Sequence, residues 1–339
     1  MIEKKFYGER LRSARMYRGL TLTELAKRTE ISKQSISLYE NDNNTPDYMK
    51  VRLLASELNF PYDYFFQKDS YAAKTETTYF RSLASATKKD RTAQSIKLEY
   101  VAKMYEILLE FISFPEMNLP SVDFVGCDDV FECENEDAIQ EIEDIAAQVR
   151  KYWDIGTGAI KDLQYLLEKN GIIVTGFDTN EDKIDAFSQR TIVAGNDIYF
   201  IAVALGNRPE GRIRFDMAHE LGHILLHPWS EDLEAITKDE FKARERQANM
   251  FASAFLLPRD SFGKDIASYP TDLKYYQFLK NKWKVSIQAM IYRTHQLGIM
   301  SDNQYQYLMR QVSKNGRYAR GKRHDCRSTL FFPCMVAFR

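Results

Sequence analysis

What this 339-residue sequence lacks excludes several classes of protein. It has no run of 18 apolar residues, which a membrane-spanning helix requires, and its first residues carry no apolar core of the kind that marks a secretion signal. Its four cysteines form no CxxC pair and are too few for a disulfide scaffold, so we expect free thiols in a reducing compartment. The sequence therefore predicts a cytoplasmic protein without a membrane partner.

An excess of charge of one sign is also missing, because 47 Lys and Arg residues are balanced by 48 Asp and Glu residues. Net charge thus gives no evidence for a nucleic acid partner, and any such partner has to be inferred from local motifs. The chain does contain enough apolar residues for a large core, at 44% of the sequence. With this length we expect two or three globular domains.

Residues 6–66 predict a compact all-α domain. Thr21 can cap the second of four helices, with Glu24 completing a capping box. The four segments with helical periodicity are Gly8–Tyr17, Thr21–Arg28, Ser32–Asn41 and Tyr48–Asn59. Two helices that cross at a short turn would bury apolar residues of the second and third segments, namely Leu25, Ala26, Ile31, Ile36 and Tyr39.

Polar residues of the same two segments are predicted to point outward, and those suited to DNA contact are Thr23, Lys33, Gln34, Ser35 and Ser37. Over residues 8–66 the chain resembles helix-turn-helix domains of the Cro and phage-repressor type, through the patterns RLRxARxxRGLTxxELA and ISxxxISxYE. The resemblance implies that Ser32–Asn41 is a recognition helix for the major groove of double-stranded DNA. Gln34 would suit adenine, and Lys33 would suit guanine or a phosphate. Leu22 departs from the pattern, since many relatives have Gln there to hold a phosphate.

A second interpretation of this domain is a small helical bundle for dimerisation or protein recognition without DNA. Its weak basicity, with eleven Lys or Arg against nine Asp or Glu in residues 1–66, predicts modest non-specific affinity for DNA. Because the operators of phage repressors are two-fold symmetric, a homodimer is the expected oligomer.

The middle of the chain predicts a polar linker over residues 67–90, a long helix over Arg91–Phe114 and a solvated acidic loop and helix face over Glu116–Gln148. A small sheet should follow, with strands at Gly171–Val174, Ile184–Ser188, Thr191–Ala194 and Ile198–Val203. The remaining helices are expected at Arg212–His227, Asp239–Leu257, Leu273–Trp283, Ile287–Leu297 and Asp302–Val312.

The first of these later helices contains an HExxH motif, formed by His219, Glu220 and His223. On a helix the two histidines are one turn apart on one face, so both imidazoles can reach one zinc ion. Zinc lowers the pKa of its bound water to about 7, and Glu220 lies beside the histidines to take a proton from that water. The motif therefore predicts a catalytic zinc site.

A catalytic zinc ion needs a third protein ligand. His227 cannot join the other two histidines, because eight residues of straight helix span about 12 Å while Zn–N bonds are near 2 Å. We expect it to be structural or to support a metal ligand without touching the ion. The metzincin pattern fails at Leu226 and Trp229. On the following helix Glu245 is the preferred third ligand, and Asp239 and Glu240 are the other candidates.

Here the chain resembles the ImmA/IrrE family of metallopeptidases over roughly residues 145–313, through RFDMAHELGHILLH, ExxANxFAxxxLLP and SIQAMIYRTHQLGIMS. The resemblance implies that His219, His223 and Glu245 bind one zinc ion and that Glu220 is the general base. It also implies a helix-turn-helix repressor as protein substrate, often under stress or in mobile elements. His295 could contribute to the cleft, although a packed or surface role is the simpler interpretation.

These patterns predict a multi-domain chain. Its parts are an all-α helix-turn-helix domain over 1–67, a linker and long helix over 68–136, an α+β zincin-like metallopeptidase domain with a small sheet over 137–313, and a peripheral or poorly ordered tail over 314–339.

The favoured function is a gluzincin-like zinc metalloendopeptidase that docks on DNA and cleaves a transcription regulator. The alternative is a DNA-binding regulator whose zinc domain senses or binds a ligand with little proteolysis, and a third hypothesis is a structural zinc module in a protein scaffold. Glu220 favours the first, because a structural zinc site needs no base beside an open coordination position.

Overall fold

The computed structural model describes residues 5–68, 74–80, 87–127, 135–178, 185–205, 208–229 and 236–319. Internal contacts divide the chain into two compact units, the first comprising residues 1–111 and 189–197 and the second residues 112–188 and 198–339. Within the described segments, no helix has both the length and the apolar character needed to cross a membrane. Most of the predicted tail, with Cys326 and Cys334, lies outside the described residues, and so does Cys133. The predicted domain limits remain a proposal.

The first unit begins with the four predicted helices, each within about two residues of its expected limits. Its elements are α1 (Gly8–Tyr17), α2 (Leu22–Thr29), α3 (Lys33–Glu40), α4 (Tyr48–Leu58), a 3₁₀ helix (Tyr62–Phe66), β1 (Lys74–Phe80) and α5 (Lys88–Leu108). Strand β1 lies inside the segment that was expected to be a linker, and α5 begins and ends earlier than the predicted long helix.

Side-chain caps explain why the short helices begin where they do. Thr21 accepts a hydrogen bond from the backbone N–H of Glu24, and the Glu24 carboxylate accepts one from the N–H of Thr21, so the predicted capping box is confirmed. Ser32 caps α3 and Asp47 caps α4 through single hydrogen bonds of the same kind. Each cap satisfies a backbone donor that has no partner within its helix.

The core of the first unit contains Leu25, Ile31, Ile36 and Tyr39, all buried as predicted, while Ala26 is half-buried against them. Beside this core the Arg15 guanidinium donates to both carboxylate oxygens of Glu40, at 2.6 and 2.8 Å. A two-pronged pair of this kind holds α1 against α3.

Helix α5 packs on the helix-turn-helix, although the sequence suggested no such contact. Lys89 Nζ lies 2.8 Å from Glu24 Oε1, at the first turn of α2. Further along α5, the Tyr100 ring packs against Tyr17 and Phe60, with ring centroids 5.3 and 6.3 Å away. Contacts of α5 therefore extend the small four-helix core with an aromatic cluster.

The ion pair between Glu24 and Lys89 should stabilise the first unit at neutral pH and lose this effect in acid. The hydrogen bond from Lys89, followed by those from Thr21, lowers the pKa of Glu24 from 4.5 to about 2. Because the folded pKa is lowered, the stabilisation is complete above the unfolded pKa and is lost as pH falls toward about 2. The difference in melting temperature between wild type and Glu24→Gln should therefore be largest near neutral pH and shrink in acid.

Glu30→Gln, at the other end of α2, is the matched control and should not reproduce this dependence. Thr21→Ala should cost about 1 kcal/mol in unfolding free energy, since it removes the cap itself. If the difference in melting temperature between wild type and Glu24→Gln did not change with pH, the pH-dependent stabilisation could not be assigned to the Glu24 carboxylate.

The second unit carries a small sheet between helices. Its helices are α6 (Glu136–Tyr152), α7 (Leu163–Lys169), α8 (Glu210–Leu226), α9 (Lys238–Leu256), α10 (Arg259–Ile266), α11 (Leu273–Trp283), α12 (Ile287–Gln296) and α13 (Asp302–Ala319). Its strands are β2 (Ile173–Asp178), β3 (Ala186–Val193) and β4 (Asn196–Leu205), and residues 189–197 at the tip of the β3–β4 hairpin belong to the first unit.

Within the second unit the strands lie side by side in the order β3-β4-β2, and β2 pairs with β4 in parallel, with Ile173 opposite Phe200. Two short strands were expected where β3 is one continuous strand, so that prediction was wrong. The polar residues of β3 that interrupt its apolar pattern, Ser188, Gln189 and Thr191, are fully buried. Because these polar residues are buried within the strand, they interrupt its apolar pattern, and the sequence therefore suggested two short strands instead of one.

Helices α8 and α9 pack closely because small residues face each other at the crossing. A Cβ atom added to Gly222 would lie 3.1 Å from Ala248 Cα and 3.2 Å from a ring carbon of Phe251. Ala248, Phe251 and Ala252 are fully buried. The backbone of α8 at Gly222 can thus lie directly against the backbone of α9 at Ala248, and a larger residue at position 222 would prevent this close packing.

Gly222→Val should destabilise the second unit by about 1–3 kcal/mol, because overpacking has to push α8 and α9 apart. Gly263→Ala is the control, since its added Cβ would lie 3.7 Å from the nearest atom, Ile299 Cδ1. That variant should be neutral or stabilising by up to about 1 kcal/mol, as Ala favours helix over Gly. Calorimetry on the full chain measures both, and equal melting of Gly222→Val and wild type would contradict the close approach.

Candidate metal centre and recognition helix

His219, His223 and Glu245 form a cluster that could hold a metal ion. The two histidines lie one turn apart on α8, with their Nε2 atoms 3.0 Å from each other. Glu245 on α9 places carboxylate oxygens 3.5 Å from His219 Nε2 and 3.2 Å from His223 Nε2. The structure therefore brings together the three predicted ligands from two packed helices.

The donor set and its spacing fit a zinc ion. Bonds of about 2.0–2.1 Å in a tetrahedral arrangement put ligand atoms about 3.3 Å apart, close to the three distances in the cluster. Two imidazoles and one carboxylate are also the donors of catalytic zinc sites, which keep a fourth position open. The residues present thus fit the ion that the motif predicts.

An amide holds the first histidine in the orientation that a metal ligand needs. Asn249 Nδ2 donates to the backbone carbonyl of Glu245 at 2.7 Å, so its Oδ1 faces His219 Nδ1 at 3.1 Å. Because a carbonyl oxygen only accepts, the hydrogen on Nδ1 belongs to His219, and the lone pair of its Nε2 faces the cluster.

Glu245 is the acidic candidate whose carboxylate faces both histidines. The other two acidic candidates face elsewhere, as Asp239 pairs with Lys242 and Glu240 with Arg244. Among the three acidic candidates, Glu245 is the one that lies in the cluster.

Glu220 is fully buried, and its Oε2 accepts a hydrogen bond of 2.6 Å from Ser188 Oγ. Ser188 lies on β3, so a strand of the sheet orients the carboxylate of the metal-binding helix. A carboxylate with a fixed orientation next to a metal centre is suited to general-base chemistry. Sequence reasoning missed Ser188, because nothing in the chain order relates β3 to α8.

His227 lies outside the helix that was predicted to include it. Helix α8 ends at Leu226, and His227 is its extended C-cap residue, so it is not one helical turn further along a straight axis. Instead, its Nδ1 lies 2.9 Å from Nδ1 of His223. Burial, followed by the nearby His223, lowers the pKa of His227 well below its usual value, so the ring is neutral near pH 7. The structure thus places His227 beside a metal-ligand candidate.

His295, which could have contributed to the cleft, lies on α12, and its contacts are with residues of α13. Its Nε2 lies 2.6 Å from Asp302 Oδ1, and its ring stacks on Tyr305 with centroids 4.6 Å apart. The side chain is 30% exposed. These contacts agree with the packed or surface role.

The cysteine prediction was wrong at one position. Cys127 is disulfide-bonded, whereas free thiols were expected. Its backbone carbonyl accepts a hydrogen bond of 2.8 Å from Gln247 Nε2 on α9. The absence of CxxC spacing therefore did not exclude a bridge, because a disulfide depends on proximity in space and not in sequence.

In the first unit, α3 presents the predicted DNA-contacting residues at its N-terminal end. Lys33 and Gln34 are exposed, Ser35 and Ser37 are half-buried, and Thr23 is exposed on α2. Ser35 Oγ also lies 2.8 Å from Ser32 Oγ, which caps the same helix. Their contacts with DNA stay a prediction, and Ser35 is partly engaged in the cap.

The geometry defines a class of protein in which a helix-turn-helix domain is joined to a unit with a His-His-Glu cluster that could hold a metal ion. Residues 8–70 match the family described as helix-turn-helix domain, and residues 167–295 match the peptidase family described as IrrE N-terminal-like domain. The chain therefore combines a helix-turn-helix domain with an IrrE-like domain of a metallopeptidase family.

Two individual proteins are similar to parts of this chain. The HTH-type transcriptional regulator ImmR of Bacillus subtilis (strain 168) is 36% identical over 70 residues, which cover 21% of this chain and 55% of that regulator. This chain thus spans about half the length of the regulator. A Mycobacterium tuberculosis transcriptional regulator is similar at 21% identity with a TM-score of 0.31, covering 44% of this chain and 45% of the other; at that score it carries no argument.

Proposed function

We propose that this protein is a DNA-binding, zinc-dependent endopeptidase that cleaves a helix-turn-helix repressor. The observation that carries the proposal is that His219 and His223 of α8 and Glu245 of α9 form one cluster that could hold a metal ion. Helix α8 also contains the buried Glu220. The match to an IrrE-like peptidase family supports the peptidase part of the proposal, and the helix-turn-helix match with the similarity to a transcriptional regulator supports the DNA-binding part.

His219, His223 and Glu245 would hold one zinc ion. When bound, zinc supplies a Lewis acid for the scissile carbonyl and lowers the pKa of water to about 7. Glu220 takes a proton from the attacking water onto a carboxylate oxygen and delivers it to the leaving amine, while Ser188 Oγ keeps that carboxylate in place. Asn249 and His227 hold the two imidazoles through their Nδ1 atoms.

The test of this proposal uses the full chain with zinc and with a chelator. Helix-turn-helix repressors encoded near the gene are incubated with both samples, and products are analysed by mass spectrometry. The proposal expects zinc-dependent cleavage at a defined bond. A protein that retains zinc and cuts none of these regulators would favour the alternative, a regulator whose zinc domain senses or binds a ligand.

For DNA, we expect the exposed residues at the start of α3 to read bases. The double variant Lys33→Ala, Gln34→Ala should weaken binding to DNA selected from a random duplex pool by about 10-fold or more, since a bidentate base contact contributes about 1–3 kcal/mol. Lys280→Ala with Gln277→Ala, which removes an exposed Lys and an exposed Gln on α11, is the matched control.

Fluorescence anisotropy of labelled duplexes measures both affinities. Equal binding by the α3 variant and the control would contradict the recognition-helix assignment. Analytical ultracentrifugation of the protein with a symmetric duplex tests the proposed homodimer, which predicts two chains per duplex.

A further inference from the structure

A chain of four polar groups runs from His223 of the metal cluster through His227 and Gln247 to the backbone carbonyl of Cys127. His223 Nδ1 lies 2.9 Å from His227 Nδ1, and His227 Nε2 lies 2.9 Å from Gln247 Oε1. Gln247 Nε2 then donates to the Cys127 carbonyl at 2.8 Å. His223, His227 and Gln247 are all buried, with exposures of 1%, 5% and 2%.

The hydrogen bond from Gln247 to the Cys127 carbonyl determines which group donates and which accepts in every other contact of this chain of groups. A backbone carbonyl oxygen only accepts, so the amide nitrogen of Gln247 has to face Cys127 and its Oε1 has to face His227. An amide oxygen also only accepts, so the hydrogen between Gln247 and His227 is on His227 Nε2. A neutral imidazole with a hydrogen on Nε2 has a lone pair on Nδ1.

That lone pair determines the state of His223. Because His227 Nδ1 accepts, the hydrogen of the short Nδ1···Nδ1 contact belongs to His223. Its Nε2 therefore carries the lone pair, and this is the atom that lies 3.0 Å from His219 Nε2 and 3.2 Å from Glu245 Oε1. The tautomer needed for a metal ligand at His223 is thus set three hydrogen bonds away, by the Cys127 carbonyl.

We propose that Gln247 is a positioning residue that fixes the tautomers of His227 and His223, and so directs the Nε2 lone pair of His223 into the metal centre. This inference rests on the proposed zinc site but not on the proposed substrate. Asn249 performs the equivalent task for His219 in one step, and the Gln247 chain performs it for His223 in two. Both amides lie on α9, the helix that also provides Glu245.

Zinc affinity of the full chain, measured by competition with a chromophoric chelator, tests the proposal. Gln247→Met removes the acceptor at similar size and should weaken zinc binding by about 10–100-fold, the usual cost of losing a hydrogen-bond partner of a ligand. Gln247→Glu restores an acceptor and should bind zinc within about threefold of wild type, since carboxylates commonly serve as such partners. Gln296→Met is the matched control, because Gln296 is a half-buried glutamine that accepts a hydrogen bond from Ser253 of α9.

Long-range ¹⁵N–¹H spectra of the wild-type histidines provide a second readout that a merely structural role would not predict. They should show the hydrogen on Nε2 of His227 and on Nδ1 of His219 and His223. A hydrogen on Nδ1 of His227, wild-type zinc affinity in Gln247→Met, or equal losses in Gln247→Glu and Gln247→Met would each overturn the proposal. A protein with these properties that cuts no repressor would contradict the proposed peptidase activity alone.

Discussion

Glu220→Gln is expected to lower the rate of repressor cleavage by about 10²–10⁴-fold while zinc content stays at the wild-type level, because general-base catalysis contributes this much. Glutamine has the shape of glutamate, and its amide oxygen can still accept the hydrogen bond that Ser188 Oγ donates at 2.6 Å. It cannot take up a proton from water. The variant therefore removes one chemical step and leaves the fold and the metal ligands in place.

Single-turnover cleavage followed by mass spectrometry measures the rate, and elemental analysis measures zinc. Glu240→Gln is the matched control, since Glu240 is a partly buried carboxylate on α9 that pairs with Arg244 instead of the cluster. Its cleavage rate should equal that of wild type. If Glu220→Gln cleaves at the wild-type rate, another group is the base and the assignment of Glu220 is wrong.

Glu245→Gln is expected to weaken zinc binding by more than about 100-fold, since even a lost hydrogen-bond partner of a ligand costs about 10–100-fold. The carboxylate is the one anionic group of the cluster, and an amide oxygen is a much weaker zinc donor. Loss of the negative charge therefore removes both a bond and its electrostatic attraction.

Asp239→Asn is the control for this prediction, because sequence reasoning left Asp239 open as a third ligand and the structure pairs it with Lys242. The same chelator competition measures both variants. Zinc binding that is weakened by Asp239→Asn and unaffected by Glu245→Gln would transfer the ligand role to Asp239. Equal wild-type affinity in both would mean that zinc, if bound, does not use this cluster.

Elements that depend on short-range signals could be predicted closely. Helices α1 to α4 begin at capping residues such as Thr21 and Ser32, whose hydrogen bonds reach only three residues along the chain. The pair His219 and His223 follows from the turn length of a helix, which fixes two side chains on one face. Glu245 was selected by its place on the next helix and by a family resemblance, and the structure brings it to the histidines.

Contacts between distant segments could not be predicted. Strand β3 was divided in two because its buried polar residues broke the apolar alternation, and one of them, Ser188, turned out to orient Glu220. Gln247 appeared as an ordinary polar residue of α9, since neither His227 nor Cys127 is near it in sequence. The packing of α5 on α1 was missed because the contact between Tyr17 and Tyr100 joins residues that are far apart in the sequence.

The amino-acid sequence by itself determined which side chains can carry chemistry: Lys33 and Gln34 at the start of a predicted recognition helix, and His219, Glu220 and His223 within five residues of α8. Helical periodicity and capping are local, so they are written in neighbouring residues. Only the tertiary structure decided which residues complete the site and how they are held. Ligand distance, hydrogen-bond direction and tautomer depend on atoms brought together by packing, such as Gly222 against Ala248, which no short stretch of sequence contains.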